Sequence, residues 1–235
     1  NNSEKSKNIN SNKHIIQTLV YSKESITLHH LVLSDCIKKI KIKDEITFPI
    51  KSYFESYSNE IYEVLTRFLF LKENGKAVND SDFHKKITPI EPKINKNYFL
   101  ENDPLITLRE QKESLVSEYT SNELAEEDFI RFRDELSIKG LNENSAAYFI
   151  NGHFLEESVV MPLINELIRT LKANELEKIK IECKKNKKSI ESNRNETFKY
   201  IDNELGIYKL LHDTKIKYQT SLSIMVKEAN KRSLD

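Results

Sequence analysis

Apolar positions recur every three or four residues over most of this 235-residue chain, the spacing that lines one face of a helix. The clearest run is Ile50, Phe54, Tyr57, Ile61, Val64, Leu65, Phe68 and Leu71. It predicts a long helix, ended by the left-handed residue that Asn74-Gly75 supplies. Asp103-Pro104 reads as the N-cap and first-turn proline of a helix lined by Leu105, Leu108, Leu115, Val116 and Tyr119. Thr120-Ser121-Asn122-Glu123 has the capping-box form, so a third helix is expected with Ala125, Phe129, Phe132 and Leu136 inward. Gly140 stops it. A short helix follows at about 144–150, with Gly152 as an interruption.

From Phe154 onward no strong stop occurs for about fifty residues. Pro162 either sits in a first turn or kinks the helix. Ile164, Ile168, Leu171, Leu176, Ile179, Cys183 and Ile190 keep the three/four spacing, as do Phe198, Ile201, Leu205 and Tyr208. The stretch KKNKKSIESNRNE between them is nearly free of apolar residues. A long amphipathic arm or helical hairpin with a solvated middle follows, coiled-coil-like without a strict heptad. Gly206 is a break before a last helix through Leu210, Leu211, Tyr218, Leu222 and Val226.

Elsewhere the pattern is weaker. Residues 1–12 are polar and aperiodic, and read as a disordered arm. Residues 14–46 fit a helix (Leu28, Leu31, Val32, Cys36, Ile37, Ile40) and also an alternating strand. The fold expected is mainly α: a helical globular module, with room for a few short N-terminal strands, plus a long C-terminal helical arm or hairpin. The organisation expected is an arm (1–12), an N-terminal α or α+β module (13–75), a long connection (76–103), a short-helix module with an acidic face (104–152) and the amphipathic arm (153–235).

Composition narrows the chemistry. Four glycines, with no GxGxxG and no GxxxxGK[ST], argue against Rossmann and P-loop nucleotide sites. Two cysteines, Cys36 and Cys183, make neither a disulfide scaffold nor a zinc ribbon. The 30 Lys, 26 Ile and 22 Asn beside seven Arg are the residues of A/T-rich codons, so the skew partly reports the genome. No run of 18 apolar residues exists to span a bilayer. The opening residue Asn1 points to a processed or trimmed chain. Secretion or surface tethering therefore stays open beside a slightly favoured cytoplasmic location.

The net charge is zero, but the zero is a cancellation. Residues 101–128 hold nine acids against Arg109 and Lys112, and residues 178–199 hold eight bases against Glu182, Glu191 and Glu196. Such blocks pair within a molecule, between copies, or with separate partners. Glu123, Glu126 and Glu127 on the acidic side and Lys184, Lys185, Lys187 and Lys188 on the basic side are the partner-binding candidates. The run 184–188 is the one nucleic-acid candidate, and it lacks the interleaved aromatics that stack on bases.

Catalytic and metal constellations are thin. Ile179-Lys180-Ile181-Glu182-Cys183-Lys184 contains an E-x-K of the kind found in PD-(D/E)xK nucleases, where Glu182 would bind Mg²⁺ and Lys184 polarise water. That reading needs a strand and an upstream Asp. His29-His30 with Asp35 and Cys36 lacks ligand spacing, because adjacent residues on a helix point about 100° apart. Arg131 to Phe149 resembles a DNA-reading helix pair in outline, yet its second half carries Glu143 and no base. The function expected is a non-catalytic interaction or scaffold subunit without cofactor, its partner another protein or a second copy. A Mg²⁺ nuclease and a tethered helical surface protein are the alternatives.

Overall fold

The computed structural model describes residues 28–30, 33, 34, 37, 48–186 and 189–205, apart from the side chains of 185, 186, 204 and 205. Among them it is mainly α, with six helices and no strand. The arm 1–12, most of 14–46 and the last expected helix beyond Gly206 lie outside the described residues.

Helix α1 (Ile50–Glu73) is the centre of the packing. Its predicted stripe is buried throughout, and Tyr53, Ser58, Thr66 and Phe70 are buried besides, so neighbours cover more than one face. It ends as the sequence predicts. Gly75 takes φ +69°, its N–H donates to the Lys72 carbonyl, and the Lys76 N–H donates to the Leu71 carbonyl. That is a Schellman stop, which a residue with a Cβ would strain.

The stretch read as a long connection carries structure of its own. Asn79 accepts from the Ser81 and Asp82 N–H groups and caps α2 (Asp80–Lys86). Acids in its first turn and His84, Lys85 and Lys86 in its last suit the helix dipole. Phe83 of α2 stacks on Phe68 of α1 at 4.1 Å, and Tyr119 meets both rings edge-on. Each such buried ring contributes roughly 1.5–3 kcal/mol of transfer free energy. One buried cluster runs through α1, residues 83–119 and the later helices to Ile201, so the core is continuous across 76–103.

Two helix starts differ from expectation. Helix α3 (Ile106–Glu118) begins after Pro104, with the Asp103 carboxylate accepting from the Leu105 N–H in the turn before it. Helix α4 (Glu126–Ile138) begins beyond the capping box. Ser121 caps only a local turn there, its hydroxyl accepting from the Glu123 N–H, while the Thr120 hydroxyl that would open the box donates to the Val116 carbonyl instead. Gly140 closes α4 by a second Schellman motif, with Leu141 N–H on the Leu136 carbonyl. The expected helix at about 144–150 is a single 3₁₀ turn (Ala146–Phe149), anchored by the Ala147 N–H donating to the Ser58 hydroxyl at 3.1 Å.

Helix α5 runs from Gly152 through Asn186. Gly152 opens it under an Asn151 cap and does not interrupt it. Leu155–Val160 is π-helical, and the Met161 N–H reaches back five residues to the Glu156 carbonyl. Pro162 follows at once: it has no N–H for Ser158, and its ring would crowd that carbonyl in a regular α turn. The wider turn is therefore the form the expected kink takes. Helix α6 (Ile190–Leu205) returns antiparallel along α5, with Asn193 Nδ2 beside Cys183 Sγ and Lys172 paired with Asp202. Within the amphipathic arm, α5 and α6 thus form a helical hairpin.

Candidate functional site

The acidic block is largely spoken for inside the chain. Glu126 takes both terminal nitrogens of Arg67, at 3.0 and 3.3 Å, while Arg67 Nε holds Glu63 at 2.9 Å. The same guanidinium lies 4.1 Å over the Phe129 ring. Glu123 pairs with Lys76, and Glu118 with Lys86. Among the described residues these three acids meet Arg67 of α1, Lys86 of α2 and Lys76 in the turn between those helices, and they clamp the end of α3, the 119–125 connection and the start of α4 onto the body. Glu127 is exposed and, among the described residues, has no ion-pair partner in this set.

That clamp leaves the other side of α4 in solvent. Of its 13 residues only Phe129 is fully buried, with Phe132, Arg133 and Leu136 half-buried. Glu127, Ile130, Asp134 and Ile138 fall at i, i+3, i+7 and i+11, within one narrow face. Ile130 is 40% and Ile138 80% exposed. An open groove of about 650 Å³ flanks α4, floored by Leu69, Phe132 and Leu136 and rimmed by Lys72, Asp128 and Arg131. Of the predicted inward stripe, Phe129, Phe132 and Leu136 do face the body, while Ala125 is exposed at the N-cap; Ile130 and Ile138 are the two apolar residues that stripe leaves out.

At the basic end, Glu182 and Lys184 sit on α5, a helix, where two residues' separation is about 200° around the axis. The E-x-K reading needs a strand there, and 179–184 is helical. Both side chains are exposed, as is Ile181 at 55%. Lys178 and Lys180 make i,i+3 pairs with Glu175 and Glu177. Lys185 lies in the helix with its side chain undescribed, and Lys187 and Lys188 lie outside the described residues. No group of three or more His, Cys, Asp or Glu is placed to hold a metal among the described residues. No described helix is long and apolar enough to cross a membrane.

His29 and His30, weighed as ligands, instead pack on Tyr148. The His30 Nδ1 and Tyr148 hydroxyl are 2.7 Å apart, and the His29 ring stacks on Tyr148 at 4.7 Å. Burial first, then the neighbouring His30, lowers His29 to about 4. The DNA-reading outline fails for a plain reason: its second half is the buried 3₁₀ turn, with Ala146, Ala147 and Tyr148 facing the core.

Sequence reasoning missed one arrangement entirely. Glu166, Thr170 and Asn174, at i, i+4 and i+8 on α5, grip the backbone of residues 94–100. Glu166 accepts the Ile94 N–H, Thr170 donates to the Ile94 carbonyl and Asn174 donates to the Lys96 carbonyl. The gripped segment closes on itself through an Ile94–Leu100 bridge and holds Tyr98 at φ +63°. No local signal marks it, because the partners lie more than seventy residues away.

No protein-family model matches the chain, and neither a curated protein nor a solved structure matches it.

Proposed function

We propose that the protein is a non-catalytic interaction or scaffold subunit, and that another protein or a second copy docks on the outer face of α4. The observation that carries this is the Glu127–Ile130–Asp134–Ile138 stripe, apolar and acidic by turns, on a helix already fastened from behind by Arg67. A stripe of that form suits a helix with basic and apolar residues on one side. The free end of the α5–α6 hairpin, where Ile181, Lys184 and Ile190 are exposed, is the second contact surface, of opposite sign. Nucleic acid would engage only there, through 184–188. No observation favours the nuclease reading.

The test is light scattering behind size exclusion, at low and high salt, on the wild-type chain and on Ile130→Asp/Ile138→Asp. Self-association, or a complex with a purified partner, is expected to weaken at least about tenfold in the double variant, the scale of losing a well-placed apolar contact. Assembly unchanged by the double variant, or a monomer at both salts with no partner, would overturn the proposal.

A further inference from the structure

Residues 28–30 meet the body through two imidazoles and two aromatic rings. The Tyr148 hydroxyl lies 2.7 Å from His30 Nδ1 and accepts the His30 backbone N–H at 3.3 Å. The His29 ring sits between its neighbours, 4.7 Å from Tyr148 and 4.2 Å from His30. Tyr148 in turn stacks on Phe54 at 5.6 Å, and both are buried, which roots the cluster in the core beside α1. We propose that this cluster is an acid-sensitive latch: it holds residues 28–30 on α1 and the 3₁₀ turn while both imidazoles are neutral, and lets them go when the imidazoles take up protons.

The hydrogen bonds define the closed state. Tyr148 accepts the backbone N–H, and in the tautomer that leaves Nδ1 of a neutral His30 unprotonated its hydroxyl donates to that nitrogen, which satisfies the hydroxyl and Nδ1 together. A proton on Nδ1 turns that nitrogen into a donor and takes away the acceptor the hydroxyl had. With both imidazoles protonated, two cations stand with ring centroids 4.2 Å apart in a half-buried site. The charged groups of α1 that act on His30 are Lys51 and Glu55. Lys51 opposes a charge on His30, and Glu55 favours it but is itself 3.4 Å from Lys51. Burial, the larger cause, keeps His30 below its ordinary value, and His29 is lowered further, to about 4.

The sign follows from the lowered values. Both histidines bind protons more weakly in the closed state than when released, where the ordinary value is 6.5. The latch is at full strength above about pH 6.5, weakens as the pH falls toward 4, and changes no further below that.

Hydrogen exchange on the full chain, at pH 7.5 and 5 and corrected for intrinsic rates, tests it. Peptides covering 28–34 should exchange about tenfold faster at pH 5, given a half-buried His29, while peptides from the middle of α1 keep their protection. His29→Phe keeps the stack but cannot charge, so its pH response should be largely lost. The imidazole resonance missing in that variant should titrate well below 6.5 in the wild-type chain. If His29→Phe does not fold at pH 7.5, His30→Gln, which leaves Tyr148 an acceptor, takes its place. An equal pH response in wild type and variant, or a His29 that titrates near 6.5, would overturn the latch.

Discussion

The body around α1 and the α5–α6 hairpin are both helical, but they are held in different ways. In the body, large rings interlock from several directions: Phe54, Tyr57, Phe68 and Phe83 are buried and touch elements far apart in sequence. Buried side-chain groups there reach backbone partners, as with the Tyr57 hydroxyl donating to the Ile87 carbonyl at 3.0 Å, while the buried Tyr98 hydroxyl has no such partner among the described residues. In the outer part of the hairpin, α5 and α6 pack on each other and, among the described residues, on nothing else. Ile179 and Cys183 are buried there, most other positions are polar, and ion pairs at i,i+3 stay within one helix. The body is cooperative because each ring is shared among several elements. The outer hairpin depends on a single seam and can open without them.

Truncations on the two sides should separate these regimes most strongly. Phe54→Ala removes a ring that contacts Tyr53 and Tyr148 and should cost about 3–5 kcal/mol in global stability, read from the urea midpoint. Ile179→Ala in the hairpin should barely move that midpoint, and should instead speed hydrogen exchange in 176–200. A global loss from Ile179→Ala comparable to that from Phe54→Ala would make the two regions one cooperative unit.

The inner half of α5 belongs to the body by this criterion, and Thr170 shows why. Its hydroxyl is buried and donates to the Ile94 carbonyl at 3.0 Å. Thr170→Val keeps the shape and leaves that carbonyl without its donor, at a cost of about 1–3 kcal/mol. Proteolysis within 94–100 should accelerate with it. A Thr170→Val chain as stable and as resistant as wild type would show that the grip of α5 on this segment contributes little.

What was legible in the sequence follows the same division between local and distant causes. The length of α1 and its end at Gly75 are written in adjacent residues: an apolar stripe, then a residue tolerant of positive φ. The hairpin was legible as an arm for the same reason, since Ile164 to Ile201 keep one spacing. Helix α2 had its signals, an Asn79 cap with acids ahead of bases, but its seven residues are too short for periodicity to stand out. The Thr120–Glu123 box misled because the Thr120 hydroxyl turns back to the Val116 carbonyl of α3 and the Glu123 carboxylate goes to Lys76. The segment 94–100 and the fate of the acidic block were not legible at all. Both are decided by side chains on other helices, and opposite charge blocks say only that pairing is available. Charge position along the chain did not choose the pairing. Arg67, Lys76 and Lys86 were nearer in space.

The smallest expected effect tests what the hairpin seam is made of. Lys172 of α5 reaches Asp202 of α6, and its ammonium also lies 5.4 Å over the Phe198 ring. The carboxylate is 55% exposed, so water and salt screen the pair. Asp202→Asn should therefore change stability by no more than about 0.5 kcal/mol, and less at high salt. Lys172→Ala removes more than charge. Its side chain is only 25% exposed, so its methylene stem packs in the seam, and the cation–ring contact goes with it. Lys172→Ala should then exceed Asp202→Asn by about 1 kcal/mol in the local opening of α6, with little dependence on salt. Lys172→Met, which keeps the stem and drops the charge, should fall between them. Equal, salt-sensitive effects of all three substitutions would mean that the seam is electrostatic. Effects ranked by lost stem would place the hairpin's cohesion in the same apolar contact that holds the body, only with fewer neighbours to share it.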